Sequence, residues 1–394
     1  MGRKTIGDVD VVGKRVLVRV DFNVPLDEKR AVLDDSRIRM ALPTIRYLCD
    51  RGAKVILITH MGRPKGVYNE KYSTKPVADK LAELLGQPVA WVGECVGEEV
   101  KSAVGALRGG EVLLLENVRF HPEEEKNDRE FARRLAELAD VYVNDAFGAA
   151  HRSHASTVGV AEFLPAVAGF LLEKELAVLE RLLHDPERPY VAVIGGAKVS
   201  DKIDVLSSLL ERVDALLIGG GMANTFLAAR GYKVGASAVE TDKLQAAGSI
   251  VDKAAYRGLP LVLPLDVVVA REIKPGAEKM VVPVETIPDG WMALDIGPVT
   301  VERFINELKK AKTVFWNGPL GVFEVEDFAR GTMAIAKFLG ELGATVVVGG
   351  GDSVAAVNAA GVAGKLTHVS TGGGASLEFL RGKALPGVEV LECK

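Results

Sequence analysis

VAVIGGAKVSDK, residues 191–202, lies at the midpoint of a 394-residue chain. Val191 to Ile194 are apolar and mostly β-branched, the composition of a buried strand. Gly195 and Gly196 end that strand. Ala197 onward reads as the start of a helix, on which Lys198 and Lys202, four apart, share one face. N–H groups at a helix start attract anions, and glycines let an anion come close to the backbone. The spacing is neither the GxxxxGK[ST] of a Walker loop nor the GxGxxG of a dinucleotide fold. Taken alone, the stretch is equally a phosphate site or a sharp turn followed by two solvated lysines.

The same strand–turn–helix unit recurs on both sides. Before it, RVLVRVDF (15–22), AKVILITH (53–60), PVAWV (88–92), EVLLLENVRF (111–120) and VYVNDAF (141–147) read as strands. Helical stretches separate them at 34–52, 73–86, 97–107 and 126–140. The first has Asp34, Asp35 or Ser36 as its cap and Gly52 as its stop. After it, strands are expected at 191–196, 215–221, 260–270, 313–319, 345–351 and 368–374, with helices at 199–213, 242–258 and 301–311. KMVVPVETI (279–287) reads as a short β excursion. Such alternation predicts a doubly wound parallel sheet. LLEKELAVLERLLHD (171–185) is amphipathic, with Leu172, Leu176, Leu179 and Leu183 on one face, and stands as a connector between the two series.

Length alone suggests two or three domains. The chain is 48% hydrophobic with a net charge of −4, which excludes a general affinity for nucleic acid or anionic membrane. Its 42 glycines exceed the usual share of roughly 7%, and the excess falls at strand ends. Cys49, Cys95 and Cys393 form no CxxC, which argues for a reducing, cytoplasmic setting. Neither a signal peptide nor an apolar run long enough to span a bilayer is evident.

The two halves end their strands differently. The first half ends them in side chains: Asp21 and Asn23, then His60-Met61-Gly62-Arg63, then Arg119, Asn144-Asp145 and His151-Arg152, with Arg37 near the start of the first helix. On a parallel sheet these ends share one edge. Four arginines and a histidine gathered there call for a phosphorylated or carboxylated ligand. Arg19, inside a strand, reads as structural. The second half ends four strands in paired or triple glycines, which suits a nucleotide beyond the carboxyl edge. Asp352, in VVVGGGDSVAA, is a candidate Mg²⁺ ligand or an ordinary cap, and Glu324 could bond ribose hydroxyls. His151 and His154 make at best half a metal site. One half for a small polyanion and one for a nucleotide point to phosphoryl transfer, a chemistry of positioning and charge neutralisation.

RVLVRVDFNVPLD, HMGRPKG, LLLENVRF, NDAFGAAHRSHAST, IGGAKVSDKI, LIGGGMA, LDIGP, FWNGPLGVFE, VVGGGDSVAA and HVSTGGGASLEFL resemble, in order and over nearly the whole chain, the motifs of the phosphoglycerate kinase family. The resemblance implies an α/β protein of two Rossmann-like doubly wound domains. These are 1–170, with about 380–394 packing back on it, and 186–379, joined by the helix 171–185. It implies Mg²⁺-dependent transfer between 1,3-bisphosphoglycerate and ADP, after hinge-bending closure, in a monomer. It implies 3-phosphoglycerate contacts at Asp21, Asn23, Arg37, His60, Met61, Gly62, Arg63, Arg119 and Arg152. Arg37, Lys198 and Lys202 would act on the transferring group. Nucleotide contacts would fall at Gly195, Gly196, Lys202, Gly219, Gly220, Ala293, Leu294, Asn317, Pro319, Glu324, Gly350, Gly351, Asp352, Ser353 and Gly373, with Asp352 at Mg²⁺. Met61 stands where leucine is more usual in that family, and Ala293 where glycine is.

Two rivals come from other classes. A Rossmann dehydrogenase needs GxGxxG and an acid after the next strand. A non-catalytic nucleotide-binding module needs no set of substrate arginines beside its lysines.

Overall fold

The computed structural model describes residues 2–394, which fall into two compact units, 2–177 with 384–394 and 178–383. Unit one holds six strands: β1 Arg15–Arg19, β2 Lys54–Ile58, β3 Val89–Val92, β4 Val112–Leu115, β5 Val141–Asn144 and β6 Ala166–Ala168. Their spatial order is β3-β4-β2-β1-β5-β6, and every neighbouring pair is parallel. β4 (VLLL) is buried throughout, as a strand covered on both faces must be. The helix Ser36–Asp50 covers one side through Ile38, Ala41, Ile45 and Leu48, which join Val16, Val18, Val55 and Leu57 in the core.

The end of the chain belongs to this unit. Lys4 N donates to Glu392 O at 2.8 Å and Glu392 N to Ala166 O at 2.9 Å, while Arg3 pairs with Glu389 at 2.8 Å. The Asn144 amide donates to Gly387 O at 2.9 Å, so this strand-end residue is spent on the C-terminal segment.

Unit two holds β7 Tyr190–Ile194, β8 Ala215–Ile218, β9 Leu261–Val262, β10 Asp266–Ala270, β11 Lys279–Pro283, β12 Met292–Ile296, β13 Thr313–Asn317, β14 Thr345–Gly349 and β15 His368–Val369. Six of these form a second all-parallel sheet, ordered β15-β14-β13-β7-β8-β9. The other three form an antiparallel sheet, β11-β10-β12, so the excursion at 279–287 is real and larger than expected. The apolar run 260–270 is not one strand. It breaks at Pro264, which offers no N–H to a ladder, and resumes as β10 in the other sheet. Leu265 N and Asp266 N leave both ladders to meet Thr300 Oγ1, at 2.9 and 3.1 Å.

The connector helix spans Phe170–His184. Leu172, Leu176 and Leu179 are buried as expected, with Leu182 rather than Leu183 completing the stripe. Its first N–H groups are capped from unit one: Thr44 Oγ1 takes Phe170 N at 3.0 Å, and Asp145 Oδ1 takes Leu171 N and Leu172 N at 2.9 and 3.1 Å. Asp145 is therefore a helix cap, not part of an anion site.

Candidate functional site

In the first sheet the chain order reverses between β1 and β5, which places a crevice at their carboxyl ends. Asp21 follows β1, and its Oδ2 accepts from Arg37 Nη1 at 2.6 Å. Asn23 Oδ1 accepts from Gly62 N at 2.8 Å, and Arg119 Nη1 donates to Gly62 O at 2.8 Å. The Gly62 peptide is thus held on both sides. Its φ is 57°, and a Cβ there would lie 2.3 Å from the Tyr72 ring, so only glycine fits.

His60 is buried, with Nδ1 3.1 Å from Arg19 Nη2. A guanidinium can only donate, so Nδ1 accepts, and this network assigns the ring hydrogen to Nε2. Burial, and then the charges of Arg19, Arg119, Arg37 and Arg152, hold the imidazole well below the usual histidine range. Four guanidinium groups therefore bear on one neutral N–H donor. Arg119 is itself pushed down to about 10, by burial first and by Arg19 next, and stays charged at neutral pH. Arg152 Nε donates to His151 Nε2 at 3.2 Å. Arg63 stands exposed on its loop and is not among the charges bearing on His60. The Met61 side chain points into the core, leaving its carbonyl to accept from Asn117 Nδ2 at 2.7 Å.

Arg19, read from the sequence as structural, is the nearest of the charges bearing on His60. It is completely buried and donates to Ser156 Oγ at 2.8 Å and to Val20 O. Behind it, the buried Glu124 carboxylate accepts from Ser156 N and Oγ, at 2.9 and 2.6 Å. His154 Nδ1 lies 3.7 Å from Glu124, and burial followed by the neighbouring arginines pushes that ring down to about 3. His154 belongs to this buried layer. A charged residue inside the apolar run RVLVRV was the one signal of it in the sequence. Glu94, Cys95 and His121 also place three ligand-type atoms within 4.8 Å of one another. That trio is already satisfied: Glu94 bonds His121 Nε2 at 2.7 Å, and the Cys95 thiol donates to Glu116 O at 2.9 Å.

In the second sheet the order reverses between β7 and β13, and their loops are tied together there. Gly195 N donates to Asn317 O at 2.9 Å, Gly196 N to Pro319 O at 2.8 Å, and Gly220 N to Leu320 O at 3.0 Å. A Cβ on Gly195 would lie 2.1 Å from Pro319 O, so the close approach requires glycine. Lys202 Nζ sits on this junction and donates to Gly195 O, Asn317 O and Asn317 Oδ1, at 2.7, 3.0 and 2.6 Å. Burial pushes its ammonium down to about 8 against the pull of Asp352 and Asp201. Asn317 Nδ2 reaches Gly349 O at 2.8 Å, and Gly318 N donates to the buried Ser353 Oγ at 2.5 Å. The glycine end of β14 is thereby joined to the same group. Gly350 precedes the helix Gly351–Ala359, whose first turn carries the exposed Asp352.

An open pocket adjoins, lined by Gly220, Asn224, Ala293, Leu294, Asp295 and Leu320 among others. Gly219 is buried beneath Leu320. Glu324 is exposed on the loop after β13, and Gly373 (φ 47°) precedes the helix Gly374–Leu380; neither shares in the Lys202 bonds. Asp295, which lines this pocket, carries no local signal of that role in the sequence. Burial pushes it up to about 7 although it accepts from Gly331 N and Ile296 N.

One expectation fails here. The helix does not begin at Ala197 but spans Ile203–Leu210, with Lys202 as its N-cap. Lys198 is exposed on the preceding loop, so the two lysines share no helical face. The cause lies 40 residues away: Glu240 accepts from Val199 N, Ser200 N and Ser200 Oγ, which holds the loop out of the helix.

The family model of phosphoglycerate kinase matches residues 6–383. The chain belongs to the phosphoglycerate kinase family. It is 61% identical, over 391 residues and 99% of each chain, to the phosphoglycerate kinases of Pelotomaculum thermopropionicum and Moorella thermoacetica. The solved phosphoglycerate kinases of Coxiella burnetii and Pyrococcus horikoshii match with TM-scores of 0.87 and 0.88, at 40% and 37% identity. Each match covers 99% of this chain and 98% of the other. Membership of the phosphoglycerate kinase family removes the dehydrogenase reading. No helix among the described residues is long and apolar enough to cross a membrane.

Proposed function

We propose that the chain performs the family's reaction, reversible phosphoryl transfer between 1,3-bisphosphoglycerate and ADP to give 3-phosphoglycerate and ATP, with the following division of labour. Arg37, Arg119 and Arg152, with Arg63 at the rim, hold the triose anion, and His60 Nε2 donates to it. Asp21 fixes the Arg37 fork and Asn23 fixes the Gly62 peptide, so both prepare the site before the ligand arrives. The nucleotide phosphates lie along the Gly195–Gly196 and Gly350–Ser353 loops, with the base in the pocket beside Gly220, Ala293 and Leu294. The single observation that carries this reading is the convergence of four guanidinium groups on a neutral His60, which no nucleotide-binding module needs.

In the ATP-consuming direction the acceptor is a carboxylate, ionised at neutral pH, so no general base is required. Arg37 stays charged throughout and neutralises the attacking oxygens. Lys202 and Lys198 neutralise the group in transit. An exposed carboxylate on the first turn of a helix, close enough to act on the Lys202 ammonium, fits Mg²⁺, which takes few protein oxygens beside substrate phosphates. Asp352 would hold it, and the ion supplies charge neutralisation on the phosphate oxygens. The acyl phosphate is prone to hydrolysis, so direct in-line transfer after hinge-bending closure, with water excluded, suits the chemistry.

The free cysteines and the net charge of −4 support a cytoplasmic protein with small-molecule partners, and the reaction needs no second copy of the chain. A coupled assay with ATP, Mg²⁺ and 3-phosphoglycerate tests the reading. Turnover, with compaction in small-angle scattering when both substrates are bound, is expected. Binding of both substrates without turnover would refute it.

A further inference from the structure

The loop 196–202 is held from outside itself. Met222 N donates to Gly196 O at 2.9 Å at one end, and Lys202 is locked to the β7–β13 junction at the other. Between them, Lys202 N donates to Val199 O at 2.9 Å, the Val199 side chain is buried, and Glu240 ties the loop from outside. Its Oε2 accepts from Val199 N and Ser200 N, and its Oε1 from Ser200 Oγ at 2.5 Å. Glu240 is in turn fixed by its own N–H, which donates to the buried Thr225 Oγ1 at 3.1 Å in the helix Met222–Ala229. That helix follows the glycines of β8, so the carboxylate is registered to the glycine-lined site itself.

Two consecutive amides and a hydroxyl make a nest that ordinarily takes a phosphate. Here an internal carboxylate fills it. Burial would push Glu240 up, but the bonds from Ser200 and Val199 outweigh it, so the group stays ionised at neutral pH. Without it, residues 197–202 could continue the following helix. Lys198 would then rise onto the face of Lys202, about 6 Å along the axis, with two like charges stacked four residues apart.

We propose that Glu240 is a positioning residue for phosphoryl transfer: its carboxylate holds the loop that presents Lys198 and keeps the transferring group off the amides of Val199 and Ser200. This rests on the role given above to Lys198. Glu240 touches no reacting atom and acts through that lysine.

The test uses the full chain with Glu240→Ala, Glu240→Gln, Lys198→Ala and the double variant Glu240→Ala/Lys198→Ala. Amide exchange at Val199 and Ser200 reads the loop, and kcat and KM for both substrates read the reaction. Glu240→Ala is expected to speed exchange at both amides and to lower kcat roughly ten- to hundredfold, with KM for 3-phosphoglycerate within about twofold of the parent. Glu240→Gln keeps an acceptor oxygen and should recover part of the loss, which a general folding defect would not. Once Lys198 is already alanine, Glu240→Ala should cost less than about twofold more. The proposal is overturned if exchange is unchanged, if kcat survives Glu240→Ala, or if the two losses simply multiply. A silent Lys198→Ala beside a damaging Glu240→Ala would instead overturn the lysine assignment, and with it the route from Glu240 to the reaction. A damaging Lys198→Ala beside a silent Glu240→Ala overturns only the positioning role.

Discussion

Lys202 carries a charge that depends on where it sits, and its titration should govern both activity and stability, in opposite directions. Its ammonium donates to three oxygens and is pushed down to about 8, chiefly by burial. In the free chain about nine-tenths of it is charged at pH 7 and about one-tenth at pH 9. The role proposed for Lys202 on the transferring phosphate requires its charged form, so kcat/KM for the nucleotide, which reports the free protein, should break near pH 8 and fall about tenfold per pH unit above it. The depth of that fall is set by what one preorganised cation is worth. A unit charge about 4 Å from a phosphate oxygen at an effective dielectric constant of about 20 contributes roughly 4 kcal/mol, in line with the ~10²–10³-fold losses seen when a single stabilising donor is removed. Lys202→Met should therefore lower kcat by about that factor at pH 7, and its profile should lose the break. Stability moves the other way. Between about pH 8 and 10.5 the unfolded lysine keeps its proton and the folded one does not, so folding should strengthen as pH rises, by at most about 3 kcal/mol. Denaturant melts of parent and Lys202→Met at pH 7.5 and 9.5 measure this against the variant's flat response. A break near pH 8 that survives in Lys202→Met, or a parent profile flat from pH 7 to 10, would refute the reasoning.

Arg19→Met should cost about 3–5 kcal/mol of stability in denaturant, because it leaves the buried Glu124–Ser156 group without its counter-charge. In the surviving folded fraction KM for 3-phosphoglycerate should rise more than KM for nucleotide, since His60 Nδ1 loses the donor that fixes its tautomer. Equal changes in both would count against that link. Asp145→Asn should stabilise the chain, and increasingly so from pH 5 to pH 8. Burial raises this carboxyl to about 7, so the folded parent binds a proton that the unfolded chain has released, and parent stability falls as pH climbs from about 4 to about 7. The asparagine keeps the acceptor for Leu171 N and Leu172 N, and its gain is bounded at about 4 kcal/mol; a pH-independent difference between the two proteins would show that Asp145 does not titrate there.

What the sequence reveals follows the range of the forces involved. Buried runs such as VLLL and VAVI report parallel strands because burial on both faces acts on each residue locally. Strand-end residues fall on one edge once the strands are parallel, so Asp21, His60 and Arg119 can be grouped without coordinates. Most of the rest is non-local. Glu240 acts on Val199 across 41 positions, and no property of AKVSDK announces it. Asn144 and Asp145 look like their neighbours at other strand ends, yet the C-terminal Gly387 takes one and the connector helix takes the other. Pro264, with its missing N–H, is a local signal of the break inside 260–270 that the apolar residues around it mask. Arg19 is the instructive case: its strand position marked it as structural, and the same burial is what aims its charge at His60.

The two sites proposed above hold their anions by different means, and this has a consequence for selectivity. In unit one the ligand-facing groups are side chains held by other side chains, as Arg37 is by Asp21 and His60 by Arg19. Forks and a single oriented N–H read the number and placement of oxygens, so a triose lacking its carboxylate or phosphate leaves desolvated guanidinium groups unpaired, at a cost of several kcal/mol. In unit two the proposed contacts are mainly backbone amides and glycine Cα atoms, with Ala293, Leu294 and Leu320 about the base pocket beside the polar Asn224 and Asp295. Amides read phosphate charge, and a largely apolar slot reads little beyond a flat ring. Discrimination among nucleoside triphosphates should accordingly be weak, within about tenfold in kcat/KM between ATP and GTP, while discrimination against a dephosphorylated triose exceeds about a thousandfold. Parallel measurement of both ratios on one preparation decides it, because strict choice of the base would require a polar reader, and of the polar side chains lining the slot, Asn224 and Asp295, the carboxylate is already spent on Gly331 N and Ile296 N, which leaves the base to Asn224.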